Sequence, residues 1–243
     1  VPRSGGRRAG SRRDGRDLYA DYAAKGYQVV KDKTALAAAK SGKLLGIFSN
    51  SHVPYYVDRQ NNPDLAGIPD LMEMSRAAIE HLNGGREGFI LQIEAARVDH
   101  AAHGNDLAGL LYDQLEFDRT LRMVVEWARK NGETLVVVTS DHGNSNPGLN
   151  GAGAEYFDST KGLLTVANMK RSYESLLPSF ATTGKELLSD AAKGDKVQPT
   201  IGNVQGMIER DLGIQLTEDE AKLVVDGITG NSPLKKIGQY SLP

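Results

Sequence analysis

Hydrophobic positions along the first half of the chain fall into two patterns. Short unbroken apolar runs alternate with longer stretches in which apolar residues return every three or four positions. The first pattern reads as buried strand and the second as amphipathic helix. Residues 17–25 give a helix stopped at Gly26, and Tyr27–Val30 a short strand. Thr34–Lys40 gives a second helix, stopped at Ser41-Gly42, followed by a strand over Leu44–Ser49. Pro69-Asp70 opens a helix that places Leu71, Met74, Ala78 and Leu82 on one face, and Asn83-Gly84-Gly85 ends it. Phe89–Ile93 reads as strand three. Asp106–Lys130 reads as a long helix with Leu107, Leu111, Leu115, Leu121, Val125 and Ala128 turned inward, stopped by Asn131-Gly132. Thr134–Thr139 reads as strand four, continuously apolar and β-branched, as expected when both faces are covered.

Strands alternating with helices predict an α/β chain with a mainly parallel sheet flanked by helices. Past Asn146-Pro147-Gly148 the texture changes to a glycine-rich loop over Gly148–Gly153 and then to a polar, helical segment. There Thr217-Glu-Asp-Glu220 forms a capping box ahead of Ala221–Val225. The expected organisation is a basic, poorly ordered end over residues 1–16, an α/β core over 17–150, and a largely helical C-terminal insertion or crown-like segment over 151–243. The basic end carries Arg3, Arg7, Arg8, Arg12, Arg13 and Arg16 against Asp14 alone, and reads as a solvated terminus rather than an anion-binding arm.

Composition narrows the partners. A net charge of −2 over 243 residues, with 25 % charged and 40 % hydrophobic residues, gives no global signal for nucleic acid or an anionic membrane. No apolar run is long enough for a membrane span, and Val1-Pro-Arg-Ser-Gly-Gly has no hydrophobic signal core. The chain has no cysteine, so any metal must bind through nitrogen and oxygen.

Two acidic stretches carry candidate chemistry. Glu94 follows strand three, and Asp141-His142 follows strand four, so both reach the edge of the sheet where open α/β proteins bind ligands. Between them, Asp99 and His103 are four residues apart, which puts both side chains on one face of a helical turn. That pair can clamp one ion. Asp141 and His142 can share a second if the backbone bends there, and Glu94 could serve a third, harder ion. An isolated Asp-His dipeptide is ordinarily solvated, and an isolated Asp-x-x-x-His is ordinarily a surface pair. Their combination at one sheet edge favours a metal site suited to displacement at phosphorus.

The runs Leu45-Gly-Ile-Phe-Ser, Asp58-Arg59, Phe89-Ile-Leu-Gln-Ile-Glu94, Asp99-His-Ala-Ala-His103 and Val138-Thr-Ser-Asp141-His142-Gly143 resemble, in order and spacing, the metal-binding half of the alkaline phosphatases. That resemblance covers residues 1–150. It implies two zinc sites and one magnesium site: Asp99 and His103 on the first zinc, Asp141 and His142 on the second, and Glu94 on magnesium. His100 takes a position that lies beside bound phosphate in this family. Ala95 departs from the family pattern, which usually has Gly after the magnesium carboxylate. The resemblance further implies phosphate monoester substrates, a homodimer, and a periplasmic or secreted protein.

The family's nucleophilic Ser, in an Asp-Ser-Ala turn, would precede Val1, as would a metal-bridging Asp and a phosphate-holding Arg. Its second His on the first zinc lies far downstream, whereas the five His here (52, 81, 100, 103 and 142) all precede residue 143. Asp158-Ser159-Thr160 imitates the nucleophile turn but follows no strand, and reads as a loop. The chain is therefore expected to be an internal piece of a phosphatase, inactive alone. Two alternatives stay open at this point. One is a related sulfatase, phosphodiesterase or phosphoglycerate mutase type of enzyme; the other is a non-catalytic fragment.

Overall fold

A computed structural model describes residues 14–144, 153–180 and 196–231. Most of the arginine-rich end and of the Gly148–Gly153 loop therefore lies outside the described residues. In chain order the elements are α1 (Leu18–Ala24), β1 (Tyr27–Val30), α2 (Lys33–Ala38), β2 (Lys43–Gly46), α3 (Tyr56–Asn61), α4 (Leu71–Leu82), α5 (Ala96–His103), α6 (Leu107–Asn131), α7 (Thr160–Ala167), α8 (Tyr173–Leu176), α9 (Ile201–Leu212) and α10 (Glu218–Thr229). Among the described residues no helix is long and apolar enough to cross a membrane.

The chain divides into two compact units. One comprises residues 1–53, 64–94 and 116–136, the other 54–63, 95–115 and 137–243. In the first, polar residues start the helices. Asp17 accepts from the Tyr19 and Ala20 amides and Asp32 from the Ala35 amide, while Asp70 and Glu73 form a reciprocal capping box on α4. β1 and β2, joined through α2, pair in parallel with Tyr27 opposite Lys43 and Val30 opposite Gly46. Val30, Leu36, Ile79 and Ala128 are buried.

The α/β class stands, with more helix and less sheet than the apolar runs predict. Phe89–Ile93 and Thr134–Thr139 form no ladder: Ile90 is 100 % exposed and Leu135 87 %. An apolar, β-branched run favours extended backbone, but a strand forms only when a neighbour takes up its amides and carbonyls. Among the described residues, β1–β2 is the one such sheet.

The second unit is held by a single apolar cluster. Tyr55, Val57, Ala101 and Ala108 meet Met169, Leu176 and Phe180, and Val204, Met207, Ile208, Leu212 and Ala221 complete it. α9 is capped by Thr200 and ends at Gly213, whose φ of 69° needs a residue without Cβ. α10 carries the Thr217–Glu220 capping box and ends the same way at Gly230. Gly109 sits in a tight space: a Cβ there would lie 3.2 Å from both Ala101 Cβ and Tyr55 Cδ1, so its neighbours would have to give by a few tenths of an ångström.

The long helix α6 matches its predicted span, and its inward stripe holds except at one position: Ala128 is buried and Leu107, Leu111, Leu121 and Val125 are half-buried. Leu115 is 44 % exposed, while Asp113, Glu116 and Thr120 are buried. Those carboxylates are inside because helix starts need them. Asp113 accepts from the Tyr56 amide at 3.0 Å, opening α3, and Glu116 from the Leu71 amide at 2.8 Å, opening α4. Two further buried carboxylates hold the start of α8. Asp58 accepts from the Ser172 amide and from the hydroxyls of Ser172 and Ser175, at 3.0, 2.5 and 2.5 Å. Asp106 accepts from the Tyr173 amide at 2.6 Å and the Gly109 amide at 2.9 Å.

Removing the Asp58 carboxylate strands the Ser172 amide and hydroxyl in the interior, while the Ser175 hydroxyl keeps the Ser172 carbonyl at 3.2 Å. Asp58→Ala is expected to lower stability by about 2–4 kcal/mol in urea denaturation, since each unpaired buried group costs about 1–3 kcal/mol. A loss below about 0.5 kcal/mol would contradict the role given to it. Asp106 gives a pH signature. Burial first, then the nearby Asp58 and Glu174 charges, pushes its carboxyl from 3.8 up to about 6 against its two amide bonds. The folded chain therefore holds a proton that the unfolded chain releases. The resulting stability is complete below the unfolded value and is lost as pH rises through the folded one. Wild type measured against Asp106→Asn should lose about 2–3 kcal/mol between about pH 4 and pH 7. A pH-independent difference would refute this.

Candidate functional site

The helix α5 sets the site. Ala101 and Ala102 are buried on one side of it, and Gly104 and Asn105 end it; Asn105 takes φ 51°, a left-handed value that Asn tolerates. Asp99 and His103, four residues apart, then share the partly exposed side. Their Oδ1 and Nε2 atoms are 3.3 Å apart. The chain bends at Asp141 and brings His142 to the same oxygen, with Nε2 3.5 Å from Asp99 Oδ1 and 3.7 Å from Asp141 Oδ2. The rings of His103 and His142 have centroids 6.3 Å apart. Asn144, which the sequence did not single out, donates its Nδ2 to Asp99 Oδ1 at 3.1 Å. Asp99, His103, Asp141 and His142 are thus brought together, with Asp99 at the centre.

Hydrogen bonding orients one of the imidazoles. His142 Nδ1 faces the Gly143 carbonyl at 3.2 Å. A carbonyl only accepts, so Nδ1 carries a proton, and Nε2 is the ring atom that faces Asp99. In tetrahedral coordination at 2.0–2.1 Å, neighbouring ligand atoms lie about 3.3–3.4 Å apart. The Asp99–His103 and Asp99–His142 separations of 3.3 and 3.5 Å are close to such an edge. Each pair offers the nitrogen and oxygen donors that zinc takes. Among the described residues, no group of three or more His, Asp or Glu side chains is arranged to hold one ion. Side-chain exposures of 37 % for Asp99 and 90 % for Asp141 leave the cluster open to a ligand from solvent.

The other candidates lie differently. Glu94 is exposed and follows an irregular stretch, not the strand that the apolar run predicts. His100 lies on α5 with its Nδ1 2.9 Å from Arg97 Nη1. His52 is in a loop; His81 is half-buried on α4 with Nε2 against the Gly42 carbonyl. Ahead of α7, the Thr160 hydroxyl first and its amide second, the latter at 2.9 Å, donate to Asp158 and keep its carboxyl below the ordinary value. That is a helix-start cap, in keeping with the loop reading of Asp158-Ser159-Thr160. Asn144 and Arg97 carried no periodic or motif signal; only the fold brings them to Asp99 and His100.

The family model described as alkaline phosphatase matches residues 2–200. The chain belongs to the alkaline phosphatase family. Alkaline phosphatase 3 of Bacillus subtilis is 28 % identical over 218 residues, covering 90 % of this chain and 44 % of the relative. Streptomycin-6-phosphate phosphatase of Streptomyces griseus is 36 % identical over 154 residues, covering 54 % of this chain and 34 % of the relative. Among solved structures, Thermus thermophilus alkaline phosphatase aligns at a TM-score of 0.80 with 35 % identity, over 93 % of this chain and 44 % of that one. The chain thus spans less than half the length of these relatives, and its α/β fold is that of the family.

Proposed function

We propose that this chain supplies the metal-binding part of a zinc- and magnesium-dependent phosphomonoesterase. The observation that carries the proposal is the convergence of His103 and His142 on Asp99 Oδ1. Asp99 and His103 would hold one zinc, Asp141 and His142 a second, and Glu94 a magnesium. When bound, such ions neutralise a phosphoryl group and hold an attacking oxygen in place. The residues themselves do three things. Asp99 sets the spacing of the two imidazoles. Asn144 pins the Asp99 carboxylate. The Gly143 carbonyl holds Nδ1 and so keeps His142 Nε2 turned toward Asp99. His100 lies beside the phosphate and does not ligate metal.

A relative named for streptomycin 6-phosphate supports a phosphate monoester as substrate. By the same family argument the whole protein is a periplasmic or secreted homodimer, and residues 151–243 form its crown-like segment beside the core over 17–150.

Every metal pair here has two ligands where stable zinc sites have three or four. Zinc binding to the 243-residue chain should therefore be weak, and Asp99→Ala should reduce it further, because both imidazoles face that carboxylate. Calorimetric titration measures this; stoichiometric zinc surviving gel filtration would contradict it. With no Asp-Ser-Ala turn and no fourth-quarter His in the chain, hydrolysis of p-nitrophenyl phosphate with added zinc and magnesium should be negligible. Robust turnover that Asp141→Ala abolishes would sink that expectation.

A further inference from the structure

Two helices end in the first unit at the same dipeptide. α4 stops ahead of Asn83-Gly84-Gly85 and α6 at Asn131-Gly132, and both asparagines are exposed. Sequence alone does not separate them, but their hydrogen bonds do. At the end of α6 the Gly132 amide donates to the Ala128 carbonyl at 3.0 Å, and Asn131 Nδ2 donates to the Trp127 carbonyl at 3.0 Å. At the end of α4 the Asn83 amide closes the helix on the Ile79 carbonyl at 2.9 Å. Among the described residues, the Gly84 amide and the Asn83 carboxamide have no hydrogen-bond partner. Nothing beyond its chain neighbours lies within 4 Å of the place a Gly84 Cβ would take.

That difference has a chemical consequence. The amide nitrogen after an asparagine can attack the Asn side-chain carbonyl when its own residue has no side chain to obstruct the approach. Here the Gly84 nitrogen would bond to Asn83 Cγ and give its proton to solvent, while the Cγ–Nδ2 bond breaks and ammonia leaves. Water then opens the cyclic imide at either carbonyl. The product is aspartate, or isoaspartate with the backbone rerouted through the side chain. Aligning the nitrogen with Cγ requires rotation about the Asn83 Cα–C bond, away from its ψ of −17°. The Asn83–Ile79 bond lies ahead of that axis and survives; the Gly85 amide bond to the Leu82 carbonyl, at 3.1 Å, is given up. At Asn131 the same rotation gives up the bond of the attacking amide itself, and the side chain must also leave Trp127.

We propose that Asn83 is a site of spontaneous deamidation in the folded chain, and that Asn131, in the same dipeptide at the end of α6, is protected. The new carboxylate falls at the C-terminal end of α4, where the last carbonyls already make the helix end negative, and three residues from Glu80. That last turn is also the one that ties α4 to the turn ahead of β2, through His81 on the Gly42 carbonyl and Glu80 with Lys40 at 3.9 Å.

Peptide mapping by mass spectrometry reads both sites in one sample. Cleavage after Lys and Arg puts Asn83 in Ala77–Arg86 and Asn131 in Asn131–Lys161. Electron-transfer fragmentation separates aspartate from isoaspartate and keeps Asn131 apart from Asn150, which lies outside the described residues. The full chain is incubated in mildly alkaline buffer, with and without concentrated urea. In urea the two sites should convert at similar rates. In buffer Asn83 should convert at least about fivefold faster than Asn131, the ratio that one extra hydrogen bond of about 1 kcal/mol makes. Gly84→Ala, at a position with room for the Cβ, should slow conversion at Asn83 and leave Asn131 unchanged. Equal rates in buffer, or Asn131 ahead of Asn83, would overturn the inference. A ratio in urea as large as that in buffer would do the same, since it would place the cause in the local sequence and not in the fold.

Discussion

The first amides of a helix have no acceptor within it, and a short helix inside a protein must find acceptors elsewhere. This chain meets that constraint with carboxylates sent into the interior from neighbouring elements. Asp113 and Glu116, both on α6, open α3 and α4, while Asp58 and Asp106 open α8. All four are nearly inaccessible to water. A carboxylate at a helix start gains from the amide dipoles, which offsets part of the desolvation that burial imposes. Without these contacts α8, four residues long, would have little to hold it. Through Asp106 and Tyr173 the constraint reaches Glu174, then Arg97, and so the imidazole of His100.

This is also why the sequence was readable in some places and not in others. Caps formed within one segment were legible: Thr217 and Glu220 lie three residues apart, and the structure pairs them. Caps formed across the chain were not. Asp113 and Glu116 sit at helical spacing among leucines, so the periodicity put Leu115 inside, whereas the amides of Tyr56 and Leu71 draw the acids inside instead. Strands failed for a related reason. Apolar runs specify extended backbone but not the partner, and Tyr27–Val30 found one while Phe89–Ile93 did not.

The candidate site shows the same division. Asp99 with His103, and Asp141 with His142, were visible as spacings, because one turn of helix or one bend suffices to join each pair. That the two pairs meet on one oxygen of Asp99 depends on where residues 141–144 return, which no local pattern encodes. Glu94 was singled out on the premise that a buried strand precedes it, and its exposure removes that premise without touching the motif it shares with the family.

The stretch from Leu135 to Val138 carries one more implication. Leu135, Val137 and Val138 are 87, 74 and 55 % exposed on backbone with no ladder partner. Two such edges from different molecules can satisfy each other, and that encounter is second order in concentration, whereas every intramolecular contact described above is first order. Dilution therefore favours the native chain and crowding favours its self-association.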